Sequence, residues 1–112
     1  MKLPNGHRAR IDVRRKLVGY CLSKTHRTGR NKARVFLAAL GIHAGNARIL
    51  ANALRNAAAN QDARVKETSS DAVKYEIDFS LVGPGGTATV RSGWIIERNT
   101  YVPRFASSYV KK

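Results

Sequence analysis

Acidic residues are scarce in this chain of 112: seven Asp and Glu stand against 21 Lys and Arg, a formal net charge of +14. Cysteine is scarcer still, and a lone Cys21 excludes an internal disulfide framework and a thiolate zinc site. No apolar run approaches the roughly 18 residues of a membrane span, and the opening MKLPNGHRAR holds no hydrophobic stretch of signal-peptide length. The expectation is a soluble protein with a cytoplasmic site of action and no membrane partner. Aromatics are 7% of the residues, too few for base stacking to be the main mode of nucleic-acid binding. Internal repeats and low-complexity tracts are also lacking. One domain spanning 1–112 is expected, since a core of this size hides roughly two-thirds of the unfolded surface without staples.

The positive charge is unevenly spread. Met1 to Gln61 holds 13 basic residues and one acid, Asp12, a net +12, whereas Asp62 to Lys112 holds eight basic and six acidic residues, a net +2. A field of this kind points to a polyanion, because Lys and Arg release the counterions condensed on phosphates. RNA or DNA comes first, ahead of an anionic membrane surface or an acidic protein.

Hydrophobic periodicity divides the chain in the same place. Asp12 is a reasonable N-cap for a helix through VRRKLVGYCLS, with Val13, Leu17, Tyr20 and Cys21 on its apolar stripe. KTHRTGRN, Lys24 to Asn31, reads as a basic loop. A second helix over Lys32 to Leu40 ends at Gly41, and a third over Asn46 to Ala59 carries Ile49, Leu50, Ala53, Leu54 and Ala57 on one stripe. Beyond Asn60 the period becomes two. Strands are expected at Ala63–Thr68, Val73–Val82, Thr87–Glu97 and Tyr101–Lys111, with a hairpin turn at Gly83–Gly86. In the last strand the alternation sets Val102, Ala106, Ser108 and Val110 against Tyr101, Phe105, Ser107 and Tyr109. Helices followed by strands predict an α+β fold: three N-terminal helices packed on one face of a four-stranded antiparallel meander. The open face then carries Glu76, Asp78, Thr89, Arg91, Ser107 and Tyr109.

Metal-dependent phosphodiester cleavage asks for several hard oxygen ligands, and Glu76 with Asp78 is the one pair at suitable spacing. That pair fits the solvated side of a strand better, and neither metal nor cofactor is expected. Metal-free RNA cleavage asks only for a base, an acid and cations on the phosphate. His26, beside Arg27, Arg30 and Lys32, is the preferred base or acid, its alternative being a solvated loop histidine. Arg91 is a candidate phosphate clamp, or else a cross-strand partner of Asp78 or Glu76. Tyr109 and Ser107 offer hydroxyls. Cys21 and Trp94 fall on apolar faces and read as core.

Several strings resemble a small uncharacterised bacterial domain family found alone and as the C-terminal module of large secreted polymorphic toxins. They are Leu3-Pro4-Asn5, His26-x-x-Gly29-x-x-Lys32-Ala33-x-x-Phe36, Leu40-Gly41, Tyr75-x-x-Asp78-Phe79, Gly83-Pro84-x-Gly86, Ala88-Thr89-Val90-Arg91-Ser92-x-Trp94-Ile95, Pro103-Arg104 and Tyr109-Val110. The element order is also similar at fold level to barnase, RelE-type toxins and tRNA-cleaving colicins. The resemblance covers His26, Lys32, Thr89, Arg91 and Tyr109. Gly29 would let the loop approach a phosphate backbone, or would only permit its turn. Arg27 stands where the family often has proline.

The reading is a metal-independent ribonuclease toxin acting on structured RNA such as tRNA or mRNA. His26 is the general base or acid, Lys32 and Arg91 stabilise the phosphorane charge, and Thr89 and Tyr109 position the phosphate or assist proton transfer. Arg27, Arg30, Arg34 and Ser107 add contacts to the nucleic acid, and an acidic antitoxin or immunity protein would cover the face. The alternatives are a non-catalytic nucleic-acid-binding module and an adaptor for an acidic protein.

Overall fold

Asp12 caps the first helical segment as its position suggests, its Oδ1 accepting from the Arg15 amide at 3.0 Å. The winding that follows is wider than an α-helix. In this computed structural model, which describes residues 1–111, Val13–Cys21 is π-helical, and the Leu22 N–H reaches the Leu17 carbonyl five residues back at 2.8 Å. Such winding is usually confined to single turns. Here it delivers Leu17, Cys21 and Leu22 to the core while Tyr20 stays half-buried at its rim.

Helix α1 spans Arg30–Leu40 and α2 spans Ala47–Asn60. Gly41 ends α1 in the left-handed region, at φ 69°, with its amide bonded to the Leu37 carbonyl, so the sequence stop signal acts as expected. His43 caps the short 3₁₀ turn Ala44–Asn46 that leads into α2. Ala33, Phe36 and Leu40 from α1 and Leu50, Ala51, Leu54, Ala57 and Ala58 from α2 are buried. No helix of the described residues is long and apolar enough to cross a membrane.

Strands β1 (Arg64–Thr68), β2 (Ala72–Gly83), β3 (Gly86–Glu97) and β4 (Arg104–Lys111) form an antiparallel meander in the order β1-β2-β3-β4. The fold is α+β, with the helices N-terminal to the sheet. β2 and β3 pair without interruption from Ala72↔Glu97 to Gly83↔Gly86. Their inward residues Tyr75, Ile77, Phe79, Leu81, Val90, Ser92 and Trp94 meet the helices.

β4 departs from strict alternation. Gly93 pairs with Ser107 while Trp94 pairs with Phe105, which leaves Ala106 as an extra residue. That bulge corrects the expected face of Phe105: the ring turns inward, 2% exposed, and meets Trp94 edge-on with centroids 5.4 Å apart. Ala106 bulges out half-buried, and the final strand begins at Arg104 rather than Tyr101.

Candidate anion-binding groove

Strand parity places Glu76 and Asp78 of β2, Arg91 and Gly93 of β3, and Ser107 and Tyr109 of β4 on the open face. Cross-strand partners there are Asp78 with Arg91, Arg91 with Tyr109, and Gly93 with Glu76 and Ser107. The charges form a network. Arg91 grips Asp78 through Nε at 2.9 Å and Nη2 at 3.1 Å, while Arg64 and Lys111 reach the same carboxylate at 3.3 and 3.4 Å. The hydrogen bond from Arg91, with the charge of Arg64 beside it, outweighs partial burial and holds Asp78 down to about 2. Burial works against ionised Glu76 too, yet bonds from Arg64 and Lys66 draw it below the usual carboxylate range. Asp78 and then Tyr109 hold Arg91 well above its ordinary value. Of the two roles open to Arg91, the cross-strand pair is present. Glu76 and Asp78 are both neutralised by cations of the protein.

Lys32 is placed differently. It projects from α1 at the β4 edge of the sheet, and its Nζ donates to the Tyr20 hydroxyl at 2.9 Å and to Ser107 Oγ at 3.0 Å. The ammonium lies 4.6 Å from the centroid of the Tyr20 ring and 6.0 Å from that of Tyr109. No carboxylate of the described residues forms an ion pair with it. Two of its three donors are used by hydroxyls, which leaves a third N–H of this half-buried group for an anion.

His26 occupies the turn before α1. Its Nδ1 accepts from the amides of Thr28 at 3.1 Å and Gly29 at 3.0 Å, and its carbonyl accepts from the Arg30 amide. The side chain ties the turn that leads into α1, in the way an Asn or Ser cap ties the first turn of a helix. An Nδ1 that accepts two N–H bonds puts the ring proton on Nε2, so His26 meets a ligand as a donor. Of the base and acid roles expected for it, this arrangement presents a donor and not a proton acceptor to the groove. Its ring stands edge-on to Tyr20, with centroids 4.8 Å apart.

Two hollows meet at Ala106 and Ser107. One, about 290 Å³, is lined by Lys32, Lys66, Lys74, Glu76, Arg91, Gly93, Ile95 and Tyr109 among others, and the second by Arg15, Lys16, Tyr20 and His26. His26, Lys32, Arg91, Ser107 and Tyr109 are thus brought to one groove. Thr89 shares the open face but pairs with Ser80 and Lys111, one step beyond Arg91, and lines neither hollow. Arg30 and Arg34 are exposed on α1 about half a turn round from Lys32, and Arg27 is exposed in the preceding turn; none of the three lines the groove. A Cβ on Gly29 would fall 2.1 Å from the Tyr20 carbonyl oxygen, so this glycine serves close packing beneath the site rather than approach to a ligand. Tyr20, Arg15, Lys16, Lys66 and Lys74 were not singled out by sequence. Tyr20 belongs to the apolar stripe of its helix, and its phenol marks the end where that stripe meets solvent.

The family model described as "Domain of unknown function (DUF6883)" matches residues 2–112. The chain belongs to that family. Comparison with curated proteins and with solved structures gave no match.

Proposed function

We propose that this protein is a metal-independent endoribonuclease toxin acting in the cytoplasm on structured RNA such as tRNA or mRNA, cutting by attack of the 2′-hydroxyl on the adjacent phosphate. The observation that carries this reading is Lys32: a half-buried ammonium held by two hydroxyls, with no ion pair to a carboxylate of the described residues, in a groove that also holds Arg15, Lys16 and Arg91. A phosphate oxygen supplies the missing negative charge. Lys32, and Arg91 steadied by Asp78, stabilise the charge that grows on the phosphorane. Nε2–H of His26 and the Tyr20 hydroxyl donate to other oxygens. The Tyr109 hydroxyl, beside Arg91, relays the 2′-proton to a non-bridging phosphate oxygen as the 2′-O–P bond forms, and that proton passes to the leaving 5′-oxygen as the P–O5′ bond breaks, which gives a 2′,3′-cyclic phosphate and a 5′-hydroxyl. An acidic neutralising protein fits the groove electrostatically.

The capped Nδ1 of His26 favours a second reading, a non-catalytic RNA-binding module, which uses the same cations and moves no proton. Incubation of total RNA with purified protein in EDTA separates the two. The ribonuclease makes discrete cuts, and Lys32→Ala slows them about a hundredfold or more. Intact RNA that is bound tightly and in a salt-dependent way selects the binding module.

A further inference from the structure

We infer that the hollow over Gly93 is a nucleobase pocket, taking one unpaired base of an RNA whose phosphate sits on Lys32; this rests on the RNA reading above. Gly93 lies mid-strand between Glu76 and Ser107, where a β-branched residue would stabilise the sheet. Packing does not require a glycine there. A Cβ at Gly93 would stand 3.8 Å from the Ser107 carbonyl oxygen and 4.0 Å from Ala106 Cβ, ordinary contacts, whereas at each of the other eight glycines it would come within 3.1 Å of a neighbour. Nor does Gly93 adopt the positive φ found at Gly41 and Gly86. What the missing side chain leaves is a bare stretch of β3 backbone, lined by Ile95, the bulged Ala106, Tyr109 and Lys32, with Lys66 and Lys74 held in ion pairs to Glu76 and Glu67. A floor without side chains suits a flat group, and the Lys32 ammonium, which no carboxylate of the described residues pairs, suits an anion attached to it. A nucleotide has both. The volume, about 290 Å³, lies at the small end of ligand sites. A base stacked in an A-form duplex cannot enter such a hollow, so the RNA contacted there is a loop, bulge or single strand.

The test compares a nucleoside monophosphate, ribose 5-phosphate and inorganic phosphate by calorimetric or NMR titration against wild type, Gly93→Val and Lys32→Ala. On the wild type the nucleotide should bind about tenfold more tightly than ribose 5-phosphate. Gly93→Val should erase that margin and leave ribose 5-phosphate binding unchanged. Equal affinities on the wild type, or a margin that survives Gly93→Val, overturn the base pocket alone. Loss of phosphate and nucleotide binding together in Lys32→Ala supports the seat proposed for the phosphate. If neither ligand binds the wild type, or if both bind Lys32→Ala normally, the phosphate site fails and the pocket with it. The wild-type comparison decides the question even if Gly93→Val does not fold.

Discussion

Asp78 and His26 both hold the groove from beneath, and each role has a measurable signature. Asp78 titrates at about 2 in the folded protein against an ordinary 3.8, because Arg91, Arg64 and Lys111 surround it. A lowered carboxylate favours the folded state above its unfolded value, and that contribution is lost as pH falls through the folded value. Thermal unfolding should therefore show stability lost between about pH 4 and pH 2, on the order of 1–2 kcal/mol of it from Asp78 after allowance for partial exposure, and Asp78→Asn should flatten that part of the curve. His26 ties the turn before α1 through Nδ1. His26→Ala should cost about 1 kcal/mol of stability, and His26→Asn, which keeps an acceptor at the same place, should recover most of it while still lacking Nε2–H. Denaturant titration of the two variants checks this, and an Asn variant as unstable as Ala would remove the capping role. Lys32 was legible in the sequence as a lysine in a basic stretch; its distinction, that no carboxylate of the described residues pairs with it, depends on where seven scarce acids settle. Gly93 could not be read at all, since a glycine inside an alternating strand signals only an omission.

Elements were legible to the extent that periodicity carries them. The hairpin at Gly83–Gly86, the stop at Gly41 and the inward faces of β2 and β3 follow from turn chemistry and a period of two. Two departures from regular period were not fully legible. The π-helical winding of Val13–Cys21 leaves the same residues apolar as an α-helix would; Pro103 favours an edge or a bulge near the start of the last strand, but nothing in the sequence places the extra residue at Ala106. That single residue decides the shape of the site. It turns Phe105 inward against Trp94 while Ser107 and Tyr109 stay on the open face beside Lys32. Phe105→Ala should therefore destabilise by about 3–5 kcal/mol, as removal of a core ring does. An open-face position, which plain alternation expects, would cost well under 1 kcal/mol, and chemical denaturation distinguishes the two values.

Across the molecule the division of charge becomes a division of labour. The sheet half contributes Lys66, Lys74 and Arg91 to the groove, and each is paired with an acid of that half: Glu76, Glu67 and Asp78 respectively. Arg15, Lys16 and Lys32 come from the half with a net charge of +12 and, among the described residues, have no ion-pair partner. The neutralised network sets the geometry of the face, and the unpaired cations supply its field. An acidic inhibitor seated there would compete with RNA for those three residues. The central claim, that this groove drives attack by a 2′-hydroxyl without metal, is met most directly by one comparison. An RNA oligonucleotide with an unpaired loop and its fully 2′-deoxy counterpart are incubated with the protein in EDTA, and both binding and cutting are followed. The RNA should be cut while the deoxy strand is bound and stays whole; equal cutting of both, or an RNA bound and left intact, would rule out this chemistry.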